Sequence, residues 1–273
     1  MQVAKKVAEA ERYLRSRIGE PPLRAIVLER RMRGFSNELS ALTVVEQRLI
    51  PGLPEPRQGD AGGVLLFGRL DGVPTAVVEG RTHLYDGYLP GECGCMIRAL
   101  AALGARLFLA VADGSALGEG VAPGTMFLAT DRIDMTGVPH LKGVHNAPGG
   151  VFPEVTPIPP EVVSLAASAG EAAGITLVSG VAALVHGPLR PSPAERRMFR
   201  LLGADALTMA LAPEMAATAY AGVPAAAFLV LDGGWDKALL DFCRIVLRGW
   251  AIPENKMWAP GQAPRLDVIT APA

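Results

Sequence analysis

The feature that constrains this chain most is an alternation. Short β-branched or leucine-rich runs are followed repeatedly by longer segments with apolar residues at helical spacing. The pattern predicts strands over 24–28, 64–70, 75–78, 107–111, 125–129, 175–178, 182–185, 206–209 and 226–231, and helices over 3–16, 95–103, 160–173, 193–202, 213–221 and 236–250. Such an order predicts an α/β protein whose mixed central β-sheet is flanked by helices on both faces. The 273 residues fit one large domain over 1–273, with no internal repeat and no linker that would divide it.

Composition sharpens this. Half of the residues are hydrophobic but only 5% are aromatic, so alanine, valine and leucine supply most of the apolar content of a finely packed core. The net charge of -1, from 26 basic and 27 acidic side chains, gives no general reason to expect nucleic acid or a membrane surface as a partner. The longest weakly polar stretches, 174–187 and 215–231, fall short of the roughly 20 residues a bilayer span needs. The N-terminus alternates charges with alanine and carries no apolar leader, which predicts a cytoplasmic protein. Cys93, Cys95 and Cys243 form no pair of CxxC units and read as unpaired thiols. A Gly/Pro-rich loop over 137–160 and a tail over 253–273, without periodicity and with spaced prolines, complete the layout; the tail reads as an extended arm.

The densest chemical constellation is Gly80-Arg81-Thr82-His83-Leu84-Tyr85-Asp86-Gly87-Tyr88, directly after an apolar run. Arg81 can hold an anion, His83 can exchange a proton, and Tyr85 offers a flat face with a hydroxyl tip. At alternate positions beyond a strand end, the three project into the crevice where open α/β sheets bind ligands. A surface turn with a satisfied cation has the same pattern.

GRTHLYDGY resembles the GRxHxYEGY element of the trimeric purine nucleoside phosphorylases and the related 5'-methylthioadenosine phosphorylases. The likeness continues in order from about residue 24 to 250, through AIVLERRMRGFSNEL, DGSALGEGVAPGTMFLATDRIDMTG, VHGPLRPSPAERRMFRLLGADALTMALAPEMAA and LDGGW. It implies a phosphorylase-like fold and a pentosyltransferase reaction, in which inorganic phosphate, the only co-substrate and no bound cofactor or metal, attacks the anomeric carbon of a purine nucleoside. By this resemblance Arg81, His83, Gly114, Ser115 and Arg30 face phosphate, Tyr85 and Met209 face ribose, and Asp232, Arg190 and Ser192 face the base. Asp232 and His83 would be the catalytic pair, with Asp232 donating a proton to the leaving purine. A plain reading makes Asp232 a helix N-cap and Met209 a core residue. The resemblance also implies a homotrimer, or a dimer of trimers, whose loop near Phe152 reaches a neighbour.

The departures matter as much. Where the family has a Gly-Ser-Gly phosphate loop, this chain has Glu29-Arg30-Arg31-Met32-Arg33. Asp60 replaces a phosphate-binding histidine, Asp113 replaces a small residue, and Pro191 replaces a purine-anchoring glutamate or serine. Arg30 and Asp60 either pair and fill the phosphate pocket or stand as solvated loop charges. Three functions follow: phosphorolysis with altered sites, cleavage by water, or a non-catalytic nucleoside-binding homologue. His140, His145 and Glu154 read as exposed loop residues rather than metal ligands, and His186 as a core histidine. No GxGxxG or GxxxxGK[ST] element is present.

Overall fold

The computed structural model describes residues 2–29, 31–57, 62–141, 158 and 160–254. Its strands are β1 (Arg24–Leu28), β2 (Ser40–Glu46), β3 (Val64–Leu70), β4 (Val73–Glu79), β5 (Phe108–Ala116), β6 (Thr125–Asp134), β7 (Leu177–Leu184), β8 (Ala206–Thr208) and β9 (Ala225–Leu231). The helices are α1 (Gln2–Arg15), α2 (Pro90–Cys93), α3 (Cys95–Leu103), α4 (Pro160–Ala173), α5 (Pro193–Leu201), α6 (Ala212–Ala221) and α7 (Lys237–Gly249).

The strands form one mixed sheet in the order β2-β3-β4-β1-β5-β8-β7-β6-β9, and β9 pairs back onto β5, closing the last five strands into a barrel. Alternation assigns its two faces. Phe108, Ala110 and Ala112 of β5 and Ala225, Ala227 and Leu229 of β9 join a cluster with α1, α3 and α6, while Leu109, Val111, Ala226, Phe228 and Val230 join one with α4 and α7. Alanine on the first face lets strands and helices approach closely, which explains a chain so poor in aromatics. Where a ring is used it carries weight: Phe228 meets Phe242 of α7 edge to face, with centroids 5.2 Å apart.

Local signals set the helix ends. Ser192 caps α5, its hydroxyl accepting from the Glu195 backbone N–H while the Glu195 carboxylate accepts from the Ser192 N–H, and Asp236 caps α7 by accepting from Leu239. Two expectations change. The strands expected over 175–178 and 182–185 are one strand, β7, because Gly180 only marks a register shift opposite Ala129 and Asp131. β2 carried no signal: it is an edge strand, mostly exposed, and Leu42 and Val44 face solvent. All three cysteines are buried free thiols. Among the described residues, no helix is long and apolar enough to cross a membrane.

Candidate anion and nucleoside site

β1, β4 and β5 run parallel, so their C-terminal ends gather on one side, with Leu28 opposite Glu79 and Val27 opposite Ala110. Ligand crevices of open α/β sheets form at such ends. The chain leaves β4 at Gly80, where φ is +108, a backbone state glycine adopts without strain. The Gly80 N–H donates to Leu28 O (3.2 Å), and Gln47 Nε2 donates to Gly80 O (2.8 Å). This turn directs Arg81 under the end of β1. His83, two residues on, caps a 3-10 turn over Leu84–Asp86 and donates its backbone N–H to Asp86 Oδ2 at 3.1 Å.

Arg81 is not open to a ligand. Its side chain is 2% exposed and lies between two carboxylates: Nε is 3.2 Å from Glu29 Oε1 and Nη1 is 3.3 Å from Glu214 Oε1. Nη2 donates to Val27 O (2.9 Å) and to Val111 O. The other Glu29 oxygen, Oε2, is 3.1 Å from His83 Nε2, and His83 Nδ1 faces Met209 O at 3.4 Å. Both partners of His83 are acceptors, so the doubly protonated imidazole suits them best. Burial opposes that charge, but Glu29 outweighs it and raises the His83 pKa. Burial likewise opposes ionised Glu29, and Arg81 and then His83 overcome it, holding the carboxyl below its usual range. Two cations and two carboxylates thus compensate one another out of water, the arrangement buried charge requires.

Among the described residues, one small cavity adjoins this cluster. A cavity of about 20 Å³ is bounded by Gln47, Gly80, Arg81, Thr82, Cys93 and Glu214, room for about one water molecule. A cavity of about 280 Å³ opens elsewhere, between Ala129, Arg132, Leu184, Ala227 and Met215, and neither Arg81, His83 nor Asp232 lines it. The larger volume is therefore not the place where the candidate chemical groups meet.

The loop after β1 is also tied down. Arg31 forks onto both carboxylate oxygens of Asp113, Nε to Oδ2 at 2.9 Å, and donates from Nη2 to Gly233 O at 3.0 Å. Burial raises the Asp113 pKa, with Arg31 opposing it. Trp235 Nε1 donates to Arg33 O (2.8 Å), so the turn after β9 is fastened to the same loop. Arg30 and Asp60, read either as a pair or as solvated loop charges, lie outside the described residues. Asp113, by contrast, is explained by Arg31.

A second group lies nearer the surface. Tyr85 is 63% exposed, and its ring covers Gly187: a Cβ there would lie 2.6 Å from Tyr85 Cδ2 and 3.6 Å from Met209 Cε. Tyr85, Gly187 and Met209 thus form one wall. Asp232, at φ +47 directly after β9, accepts from the Ala116 N–H at Oδ2 (2.9 Å) and faces Arg190 Nη1 at Oδ1 (3.4 Å). It is not the cap of α7, a role taken by Asp236. Arg190 and Asp232 are brought together; the Ser192 hydroxyl is engaged in capping α5.

Other expectations are corrected here. Gly114 and Ser115 lie within β5 rather than beyond a strand ending at 111, because Ser115 pairs with Leu207 of β8 and Gly114 with Leu231 of β9. Ser115 is buried, and a Cβ on Gly114 would lie 2.9 Å from Leu229 and Leu231 atoms. His140 is buried rather than exposed: Nε2 is 3.0 Å from Asp134 Oδ2 and 3.1 Å from Thr136 Oγ1. Against its own burial, these partners hold Asp134 at about 2. His186, expected in the core, is exposed. His145, Phe152 and Glu154 lie outside the described residues, and among the described residues no cluster of three or more His, Cys, Asp or Glu can hold a metal ion. The reading from sequence missed Glu214 and the inward turn of Glu29. The available signals were a glutamate closing the apolar run AIVL and another in the first turn of the APE helix start.

Comparison with known proteins agrees with this frame. Residues 34–244 match the phosphorylase superfamily. The chain is 31% identical to a purine nucleoside phosphorylase of Mycobacterium leprae over 193 residues, 69% of each chain. It is 26% identical over 219 residues to purine nucleoside phosphorylase 1 of Geobacillus stearothermophilus, covering 80% of each. The fold superposes on the Schistosoma mansoni purine nucleoside phosphorylase in complex with acetate with a TM-score of 0.80 at 20% identity, covering 92% of this chain and 97% of that one. This chain belongs to the phosphorylase superfamily, within it to the purine nucleoside phosphorylases.

Proposed function

We propose that this chain binds a purine nucleoside or its base and does not phosphorolyse it. The observation that carries this reading is the pairing of Arg81 with Glu29 and Glu214, which gives the cation internal partners and leaves about 20 Å³ beside it. Phosphate would have to displace a buried carboxylate and then face it, at a cost of several kcal/mol for a like charge at short range in a partly desolvated site. Family membership supports the purine ligand, as does a structural relative solved with hypoxanthine. The wall of Tyr85, Gly187 and Met209 supports a ribose contact.

Phosphorolysis to free base and ribose 1-phosphate, which the family resemblance implies, has this ion cluster against it. Hydrolysis has less in its favour than binding. Glu29 is held below its usual range by two cations, which makes it a poor base, and both Asp232 oxygens are engaged as acceptors, which makes that residue a poor acid. The same reading carries a homotrimer, supported by the exposed Tyr85 and Leu89 flanking the site. Light scattering tests that assembly. The functional test is calorimetry against purine bases and nucleosides, paired with a base-release assay with and without phosphate. Saturable binding without release is expected; phosphate-dependent release overturns the reading.

A further inference from the structure

We infer that Glu29 is the residue that sets what this site refuses: its carboxylate is an intramolecular oxyanion seated in a pocket that Arg81 and His83 would otherwise offer to an external one. The inference deepens the proposed function and rests on it in taking the site to work without phosphate.

Geometry carries it. A carboxylate that bridges a guanidinium through one oxygen, at 3.2 Å, and an imidazole through the other, at 3.1 Å, occupies the position of a small oxyanion ligand. The fit is incomplete in an informative way. Arg81 Nε and Nη1 are buried at ion-pair range of Glu29 and Glu214, yet neither is aligned for a hydrogen bond, and Glu214 Oε2 has no hydrogen-bond partner either. Buried donors are nearly always paired, so two unsatisfied N–H groups on a 2% exposed arginine mark a site that its internal acids neutralise but do not fully ligate. A tetrahedral or planar oxyanion that enters in place of Glu29 can accept from these donors and from His83.

The local chain explains why Glu29 is held there. It directly follows β1, whose five residues are all buried, so its backbone position is fixed by the sheet. Arg31, fastened to Asp113 and Gly233, then prevents the loop from lifting. Among the described residues, the titratable and charged groups facing the cluster are Glu29, Arg81, His83 and Glu214, with Arg31, Asp113 and the Cys93 thiol beside it.

The test is anion titration of the full-length protein and of Glu29→Gly, followed by thermal denaturation at constant ionic strength with chloride as the reference. The wild type is expected to show no anion-specific stabilisation by phosphate, sulfate or formate. Glu29→Gly should be stabilised by all three, formate by refilling the vacated carboxylate position, with apparent affinity at least tenfold above the wild type. An unresponsive Glu29→Gly overturns the inference. If that variant does not fold, Glu29→Gln keeps the shape and removes the charge, and the His83 imidazole, followed by NMR, should then titrate at lower pH than in the wild type. An unchanged His83 titration overturns the inference by a second route. Phosphate-dependent base release by the wild type, in contrast, would overturn the functional reading, while failure of the variant to gain anion binding would leave that reading standing.

Discussion

The buried side and the exposed side of this candidate site solve the same problem in opposite ways. Arg81, His83, Glu29 and Glu214 are withdrawn from water, and the protein itself supplies every counter-charge they need. Tyr85 and Arg190 stand at the surface and Asp232 is half-buried beside Arg190, so solvent supplies part of the compensation. Buried charge must be settled within the fold, and here Glu29 and Glu214 settle it for Arg81. Exposed charge carries no such obligation.

The largest expected effect comes from breaking the buried side. Arg81→Met leaves Glu214 without a cation and Glu29 with His83 alone, and should lower stability by about 3–5 kcal/mol in urea denaturation. A loss under about 1 kcal/mol would mean that the cluster is not the closed unit described. Its pH dependence follows in sign. Glu29 is depressed in the folded state, so its contribution is present above its unfolded value and lost as pH falls through the folded one. His83 is raised, so its contribution is complete below its unfolded value and lost as pH rises through the folded one. The melting temperature should therefore be highest between these limits and fall on both flanks, and Glu29→Gln should flatten both. Equal pH profiles in the two proteins would contradict the pairing.

On the exposed side the effects shrink. Gly187→Ala places a methyl 2.6 Å from the Tyr85 ring at a φ of +138 that alanine avoids. It should cost about 1–3 kcal/mol and, by displacing Tyr85, weaken nucleoside binding about tenfold, read by calorimetry. Unaltered affinity would detach Tyr85 from the ligand. Arg190→Ala should change stability by less than about 1 kcal/mol, since the Arg190 side chain is 78% exposed. A larger loss on chemical denaturation would show that this pair is structural and would blur the contrast between the two sides.

How much of this could be read in the chain depends on what kind of signal each residue sends. β1 and the α3 and α4 spans were legible to the residue, because buried strands read as unbroken apolar runs and helices as periodic ones. β2 was not, since an exposed edge strand needs neither. At the candidate site, Arg81, His83, Tyr85 and Met209 were singled out through an ordered resemblance that names positions but not partners. That Arg81 faces Glu29 and Glu214 depends on the parallel pairing of β1 with β4 and on the approach of α6, contacts that reach 52 residues back in sequence to Glu29 and 133 residues on to Glu214. His140 was misread for a different, local reason: its partners Asp134 and Thr136 sit at and just past the end of β6, which the sequence predicts only as far as 129.

The central claim is that Arg81 and His83 already hold an anion, and that it is the protein's own. The most direct measurement is a phosphate titration of the wild type followed on the His83 imidazole resonances by NMR. The account predicts chemical shifts unchanged beyond the ionic-strength effect seen with chloride. A saturable, phosphate-specific shift of those resonances would contradict it.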